Sequence, residues 1–523
     1  MIIPRYQPIR LIWQKVFLLI LFLGLSVTTQ GNLQRAKDRA VQPNIVLFLV
    51  DDLGWQESSV PFYSEVTELN RRYRTPAMEE MARRGMKFRS AYASAVCSPS
   101  RVSLLSGMNA ARHRVTNWTL RKDQSPDDTN EKMVPPLWNL NGATIFPGIA
   151  RAVQITPLPA LLREAGYRTI QVGKAHLGAV GTPGEDPRHF GYDINVAGHA
   201  AGAPGSYRGE KNFRSPTDSV WDVPGLEAYH GQNIHLTEAL TREAIRHLEG
   251  AVESKRPFFL SLSHYAVHSP WEEDDRFYPA YRDAGLGHFE ALRASMIEGM
   301  DRSLGDLLRT LRRLDIDRQT LVIFLSDNGA PHACPPNLPL RGQKLSPYEG
   351  GARVPMLALW PGTIPAGSEV DTPVIIEDIF PTLLAVAGQE MDPQRRRQRI
   401  HQVIDGENLL PILRGGPFPA SSRPLLFHFP HQYYGQGPFS ALRKDEWKLI
   451  YHHLEQRLEL FHLPTDIGEA HDLSQSKPTI RRKLAGLLSR ELQRHGAQMP
   501  IKATSRKGEE TSLPLPAAHD RLR

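Results

Sequence analysis

Four short apolar stretches limit what this chain can fold into. Ile45 to Val50, Thr169 to Val172, Phe258 to Leu262 and Leu321 to Leu325 are rich in β-branched and aromatic residues and do not alternate with polar ones. A strand of that kind is buried on both faces, as in a parallel sheet covered by helices. Helical patterns separate the stretches: Thr75 to Arg84, Leu158 to Glu164 stopped by Gly166, His235 to Leu248, and Leu292 to Leu314. The alternation predicts an α/β fold with a large, mostly parallel central sheet flanked by helices.

The ends of these strands carry polar chemistry. The first runs into Asp51-Asp52, the second into Gly173-Lys174-Ala175-His176, the third towards His264 and His268, and the fourth into Ser326-Asp327-Asn328-Gly329. Ligands of open α/β sheets bind outside the carboxyl ends of the strands. Any one of these endings reads as a helix cap or a turn, and His264 as readily as a packed histidine. Four together point to one site.

Beyond residue 415 the pattern changes. Pro417, Pro419, Ser421, Ser422 and Pro424 read as a linker. Phe439 to Tyr451 and Leu458 to Leu463 then read as strands of a smaller antiparallel sheet, followed by a helix from Pro478 to His495. The expected organisation is a catalytic domain over 43–415, a subdomain over 422–498 and a disordered polar tail over 502–523. A chain of 523 residues is long enough for this division.

At the amino end, Arg5, Arg10 and Lys15 precede an apolar run from Val16 to Val27. This reads as a secretory signal peptide over residues 1–31, with an uncleaved anchor as the alternative. The run is short of the ~20 residues a membrane span needs, and no cysteine near residue 30 offers a lipid attachment point. The expectation is an exported protein, periplasmic or secreted, with no stable membrane span after cleavage. The net charge of +7 is not gathered into a block dense enough for nucleic acid. Asn117-Trp118-Thr119 is a glycosylation sequon, meaningful only in a eukaryotic host.

Cys97-Ser98-Pro99-Ser100-Arg101 is the sharpest local signal. With Ser98 as N-cap and Pro99 in the first turn, residue 97 stands at a helix N-terminus, where free N–H groups favour an anion. Arg101 adds fixed charge one turn on. On local physics alone, a buried structural cysteine is an equal reading. Asp51, Asp52, Asp327 and Asn328 offer only oxygen, the donor set of a hard cation, calcium first and magnesium second.

Cys97-Ser98-Pro99-Ser100-Arg101 followed by Leu104-Leu105-Ser106-Gly107 resembles the signature of the type I sulfatases, of the alkaline-phosphatase superfamily. The resemblance runs over residues 43–475. It implies that a maturation enzyme oxidises Cys97 to formylglycine, whose hydrated aldehyde attacks sulfur and is also a metal ligand. Cys334 is then left unpaired. It implies that Asp51, Asp52, Asp327 and Asn328 hold one calcium ion, with Asp327 as base for the attacking hydroxyl. Gly173-Lys174-Ala175-His176-Leu177-Gly178 is similar to the family's Gly-Lys-x-His-Leu-Gly, which makes Lys174 a sulfate ligand and His176 the group that deprotonates the second hydroxyl. His268, before Ser269-Pro270, is expected to contact sulfate and protonate the leaving oxygen. Lys344, upstream of Glu349-Gly350-Gly351-Ala352-Arg353, is expected to bind sulfate, and Arg353 to be structural. The expected export and the general look of the chain resemble bacterial polysaccharide-degrading sulfatases, so a carbohydrate sulfate ester is the first expected substrate and an aryl sulfate the second. Trp118, Arg121, Trp138, His199, Tyr207, Arg208 and Lys211, on loops between the motifs, are candidates to line a sugar pocket, each also readable as plain surface. A phosphatase or phosphonate hydrolase on the same fold, and a non-catalytic sulfoglycan-binding protein with Cys97 unmodified, remain open.

Overall fold

The computed structural model describes residues 42–389, 398–417, 423–503 and 512–516. The expected signal peptide lies outside them, as does most of the expected linker. Eight strands order the main sheet: β1 (Asn44–Val50), β2 (Met86–Tyr92), β3 (Arg168–Gly173), β4 (Ile194–Val196), β5 (Phe258–Ser263), β6 (Thr320–Ser326), β7 (Arg353–Leu359) and β8 (Ser368–Val370). Their spatial order is β8-β2-β7-β6-β1-β5-β3-β4, with Val374–Ile375 also paired to β2. The four strands expected from sequence sit side by side at the centre as β6-β1-β5-β3, all parallel. Their polar ends therefore open on one edge. β7 runs antiparallel to both β6 and β2.

Burial on both faces explains the non-alternating strands. Ile45, Leu47 and Leu49 of β1 face one core, and Val46, Phe48 and Val50 the other. The first core is closed by α2 (Cys97–Ser106), α3 (Leu158–Glu164) and α6 (Ile379–Val386). The second is closed by α1 (Pro76–Arg84), α4 (Leu236–Glu253) and α5 (His288–Arg313). Helix α4 presents an apolar stripe at 3.6-residue spacing through Leu236, Leu240, Ala244 and Leu248, whereas α2 is buried on every side.

The small antiparallel sheet has the order β9 (Leu425–Phe429), β10 (Phe439–Lys444), β11 (Trp447–His452) and β12 (Arg457–His462). Asp445 at positive φ turns the stretch read as one strand, 439–451, into a hairpin. One face, with Phe427, Ala441 and Ile450, joins the first core of the main sheet. The other, with Leu442, Leu449 and Leu460, packs on Leu484, Leu488 and Leu492 of α7 (Pro478–Arg494). Part of the expected tail is placed: Lys502 pairs with Met133, Ser512 bridges Ile501, and Leu513 is buried. Apolar Leu513 supplies a reason for contact that the polar composition masks. Among the described residues, no helix is long and apolar enough to cross a membrane.

Candidate active site

The ends of β1, β3, β5 and β6 meet the amino end of α2. That helix begins at Cys97, with Val96 at its N-cap, two residues earlier than the sequence reading placed it. Ser98 does not cap the helix because its hydroxyl turns to the neighbouring loop and accepts the Thr119 N–H at 3.2 Å. Ser100 donates to the Asp327 carbonyl at 2.6 Å, which ties the first turn of α2 to the end of β6. Gly107 then ends the helix with left-handed backbone, φ 70°.

All ten residues assigned to the site from sequence lie in one cluster, buried except for the part-exposed Lys344 and His268. Lys174 pairs with Asp51, both fully buried. Lys344 donates to Asp52 at 2.6 Å and stands 3.6 Å from Cys97 Sγ. Arg101 donates to Asp327 from Nε at 2.9 Å and to the Lys174 carbonyl at 3.0 Å. Asn328 Nδ2 donates to Asp52 at 2.6 Å, and the Asp52 N–H reaches Asp327 at 3.3 Å. His268 Nε2 lies 3.7 Å from Asp52, with Nδ1 against its neighbour's carbonyl, Ser269 O, at 2.7 Å. His176 Nε2 is 2.8 Å from the Thr119 carbonyl. Cys97 Sγ falls within 4.8 Å of oxygens from both Asp51 and Asp327, and of ligand atoms from Asp52 and His268.

Burial and charge set the protonation states. Burial pushes the Asp51 carboxyl up, against the lowering effect of Lys174. It acts the same way on Asp52, but Lys344, His268 and Lys174 outweigh it and hold that carboxyl well below the usual range. Burial lowers His268 to about 4 and holds His176 well below the ordinary imidazole range, with Lys174 and Arg101 adding to the lowering at His176. Both imidazoles are thus neutral at ordinary pH. The Cys97 thiol is raised by burial.

The donor set fits a hard cation. Asp51 Oδ1 and Asn328 Oδ1 are buried acceptors with no hydrogen-bond partner among the described residues. An orphaned buried oxygen is costly unless something electropositive meets it. Three carboxylates face the three cations Lys174, Lys344 and Arg101, so charge is balanced before any ligand enters. A divalent cation then leaves a positive excess suited to an anion.

Sequence reading missed the layer beneath. Arg293 of α5, fully buried, donates to Glu57 at 2.7 Å, to the Asp52 carbonyl at 2.8 Å and to the Val267 carbonyl at 3.0 Å. It locks the β1 and β5 loops together behind Asp52 and His268. Its signal was an arginine inside the apolar stripe of α5, beside Ile297 and Met300. Gly202 approaches the His176 ring so closely that a Cβ there would sit 2.4 Å from Cε1. Of the loop candidates, Tyr207 donates to the His268 carbonyl at 2.9 Å. Trp138 is buried, and Arg121, Arg208 and Lys211 are held in ion pairs with Asp218, Asp275 and Glu272. His264 is a packed histidine, bonded to Ser303 at 2.9 Å. Arg353 is structural, donating to the Arg89 carbonyl at 2.9 Å. Asn117 of the sequon is fully buried and donates to Asp127 at 2.9 Å, so the sequon is closed to glycan.

The profile of the Sulfatase family matches residues 43–389, and that of the N-sulphoglucosamine sulphohydrolase C-terminal region matches residues 343–497. The chain belongs to the sulfatase family. It is 32% identical over 405 residues to the N-acetylgalactosamine-6-sulfatase of Canis lupus familiaris, covering 74% of this chain and 68% of that protein. A protein described as a sulfatase from Formosa agariphila is 27% identical over 518 residues, with 89% and 90% covered. Among solved structures, Ps i-CgsB in complex with k-i-k-neocarrahexaose superposes with a TM-score of 0.68 at 26% identity, covering 86% of this sulfatase and 93% of that chain. The family's chemistry, sulfate ester hydrolysis with a metal and a formylglycine, is therefore the chemistry to set against this site.

Proposed function

We propose that this sulfatase is exported, hydrolyses a sulfate ester of a carbohydrate, and uses residue 97, matured from cysteine to formylglycine, as its nucleophile. The observation that carries the reading is the position of Cys97 Sγ, within 4.8 Å of oxygens of Asp51 and Asp327 and 3.6 Å from the Lys344 ammonium. A nucleophile at that point faces both a cation's ligands and a cationic anion pocket. Relatives named for sulfated sugars, and a neighbour solved with a carrageenan oligosaccharide, favour a saccharide over an aryl ester.

Asp51, Asp52, Asp327 and Asn328 would hold the ion, calcium by the all-oxygen donor set. When bound, the ion and the hydrated aldehyde at residue 97 supply charge neutralisation and the attacking hydroxyl. Lys174 and Lys344 bind and orient the sulfate oxygens, and their charge offsets what develops there as the S–O bond breaks. Asp327 accepts the proton of the attacking hydroxyl, and Arg101 holds that carboxylate in place. His268, once it has taken a proton beside Asp52, delivers it to the leaving alcohol oxygen. His176, kept neutral, withdraws the remaining hydroxyl proton so that sulfate departs. The helix N-terminus at residue 97 adds its partial positive charge to the same anion.

The test is to compare turnover of a sulfate and a phosphate ester of the same alcohol by the wild type and by Cys97→Ala. Sulfate hydrolysis by the wild type alone is expected. A faster phosphate ester, or full sulfate turnover by Cys97→Ala, would overturn the assignment.

A further inference from the structure

The site as described recognises sulfate, which every sulfate ester shares, so the recognition of the rest of the substrate has to come from its rim. One stretch of that rim is contributed by the small sheet. The turn after β9 is stitched to the loop that follows α2. His431 is fully buried, hydrogen-bonded to Thr116 at 2.7 Å, with Nδ1 2.9 Å from the Asp127 carboxylate. Asp128 N–H donates to the Gln432 carbonyl at 2.8 Å, and Asn130 to the Gln432 side chain at 3.1 Å. The same loop holds Thr119, whose carbonyl meets His176. These bonds fix the turn against the catalytic pocket.

Three aromatic rings run outward along this seam. Trp118 packs edge-on against Tyr433 at 6.1 Å between centroids, and Tyr433 lies 6.2 Å from Tyr434. Trp118 directly precedes Thr119, whose carbonyl lies 2.8 Å from His176 Nε2 and whose N–H donates to Ser98, the residue after Cys97, at 3.2 Å, so the inner end of the row borders the sulfate pocket. Tyr434, at the outer end, is 72% exposed.

The backbone beneath Tyr434 makes the arrangement informative. Tyr433 and Gln436 exchange both backbone hydrogen bonds, at 3.0 and 2.9 Å, around a two-residue turn. Its central residues, Tyr434 and Gly435, both have positive φ, 51° and 76°. Asn-Gly or Gly-Gly suits such a turn, whereas a bulky side chain at its first central position is strained. A tyrosine held there, 72% exposed and touching only the Tyr433 ring among the described aromatic side chains, gains little for the fold. Strain of this kind gathers where a side chain must be presented. A tyrosine offers a large, rigid face with few torsions to freeze. A pyranose offers a complementary face of C–H bonds.

We propose that Trp118, Tyr433 and Tyr434 form an aromatic wall beside the sulfate pocket, and that it takes the C–H face of the saccharide bearing the sulfate. The inference rests on the sulfatase reading above and adds the surface that selects a sugar. The experiment uses the full-length matured protein and its Tyr434→Asn and Tyr434→Phe variants. Desulfation is followed over sulfated galactose, N-acetylgalactosamine, glucosamine and fucose and over carrageenan oligosaccharides. KM is read on the fastest of these, with inorganic sulfate as competitive inhibitor. Loss of one stacking contact raises KM by about tenfold. Tyr434→Asn should show that rise with kcat and the inhibition constant of inorganic sulfate unchanged and the melting temperature unchanged or higher, and Tyr434→Phe should behave as wild type. An unchanged KM in Tyr434→Asn, in a wild type that turns over, overturns the wall and leaves the sulfatase reading standing. So does a parallel rise in KM and in the sulfate inhibition constant, because it signals a disturbed pocket. Absence of turnover by the wild type on every saccharide overturns both.

Discussion

Arg293→Met is the perturbation that asks most of the layer beneath the site. The side chain is fully buried and pairs with an equally buried Glu57. Methionine is similar in length but donates nothing. Its introduction leaves Glu57 with the Gly54 N–H at 2.8 Å and a long contact from the Tyr73 hydroxyl at 3.5 Å. Removing one partner of a buried ion pair costs about 3–5 kcal/mol. The Asp52 and Val267 carbonyls each lose a charged donor, adding a further ~1–3 kcal/mol. Set against a typical total stability of about 5–15 kcal/mol, the variant should fold but melt markedly lower. Calorimetry and a denaturant titration read that loss. Kinetics read a second effect: the loops carrying Asp52 and His268 are no longer locked, and a shift near 1 Å at the reacting groups costs about 10²-fold in kcat. Glu57→Gln/Arg293→Met, which removes the stranded charge, should recover much of the stability and little of the activity. A single variant with wild-type melting and wild-type kcat would refute the positioning role.

Three further outcomes follow from the same geometry. Gly202→Ala should lower kcat by about 10²-fold with little change in melting, because the new methyl displaces the His176 ring; unchanged kcat would mean that ring is not where the reaction needs it. Glu377 is buried, accepts a hydrogen bond from Asn109 at 2.8 Å, and is pushed by burial, then by Asp378, up to about 8 from an ordinary 4.5. A raised carboxyl favours the fold below the unfolded value and loses that advantage as pH climbs through the folded one, so unfolding free energy should fall between about pH 4.5 and 8, at up to ~1.4 kcal/mol per pH unit. Glu377→Gln should flatten that slope in urea titrations at pH 5 and 8, and an unaltered slope would contradict it. Chelation should abolish turnover and lower the melting temperature, with calcium restoring both better than magnesium; full activity in excess chelator would remove the cation from the scheme.

The central strands were legible because burial on both faces leaves uninterrupted apolar runs, and their polar endings marked the site. β2 and β7 were not. Met86–Tyr92 carries Lys87 and Arg89 near an edge, and Arg353–Leu359 begins with a charge and contains Pro355, so neither reads as a buried strand. The Lys, His, Asp and Asn residues of the site were found through local motifs. Arg293 and Glu57, 236 positions apart, share no motif, and only the fold brings them together. Helix α2 starts two residues early because Ser98 is recruited by Thr119, a long-range bond that local capping preferences cannot register. The burial of Asn117 is equally invisible, since a sequon describes three residues and not what packs over them.

The nucleophile itself can be titrated. Preparations matured to different extents are digested, and the peptide containing residue 97 is weighed, conversion of cysteine lowering its mass by about 18 Da. The converted fraction is then plotted against the rate of sulfate release from a sulfated saccharide. If the aldehyde-bearing residue 97 attacks sulfur, the rate rises in proportion to that fraction and extrapolates to zero where only cysteine remains. A rate indifferent to the fraction would mean that the oxygen attacking sulfur comes from elsewhere.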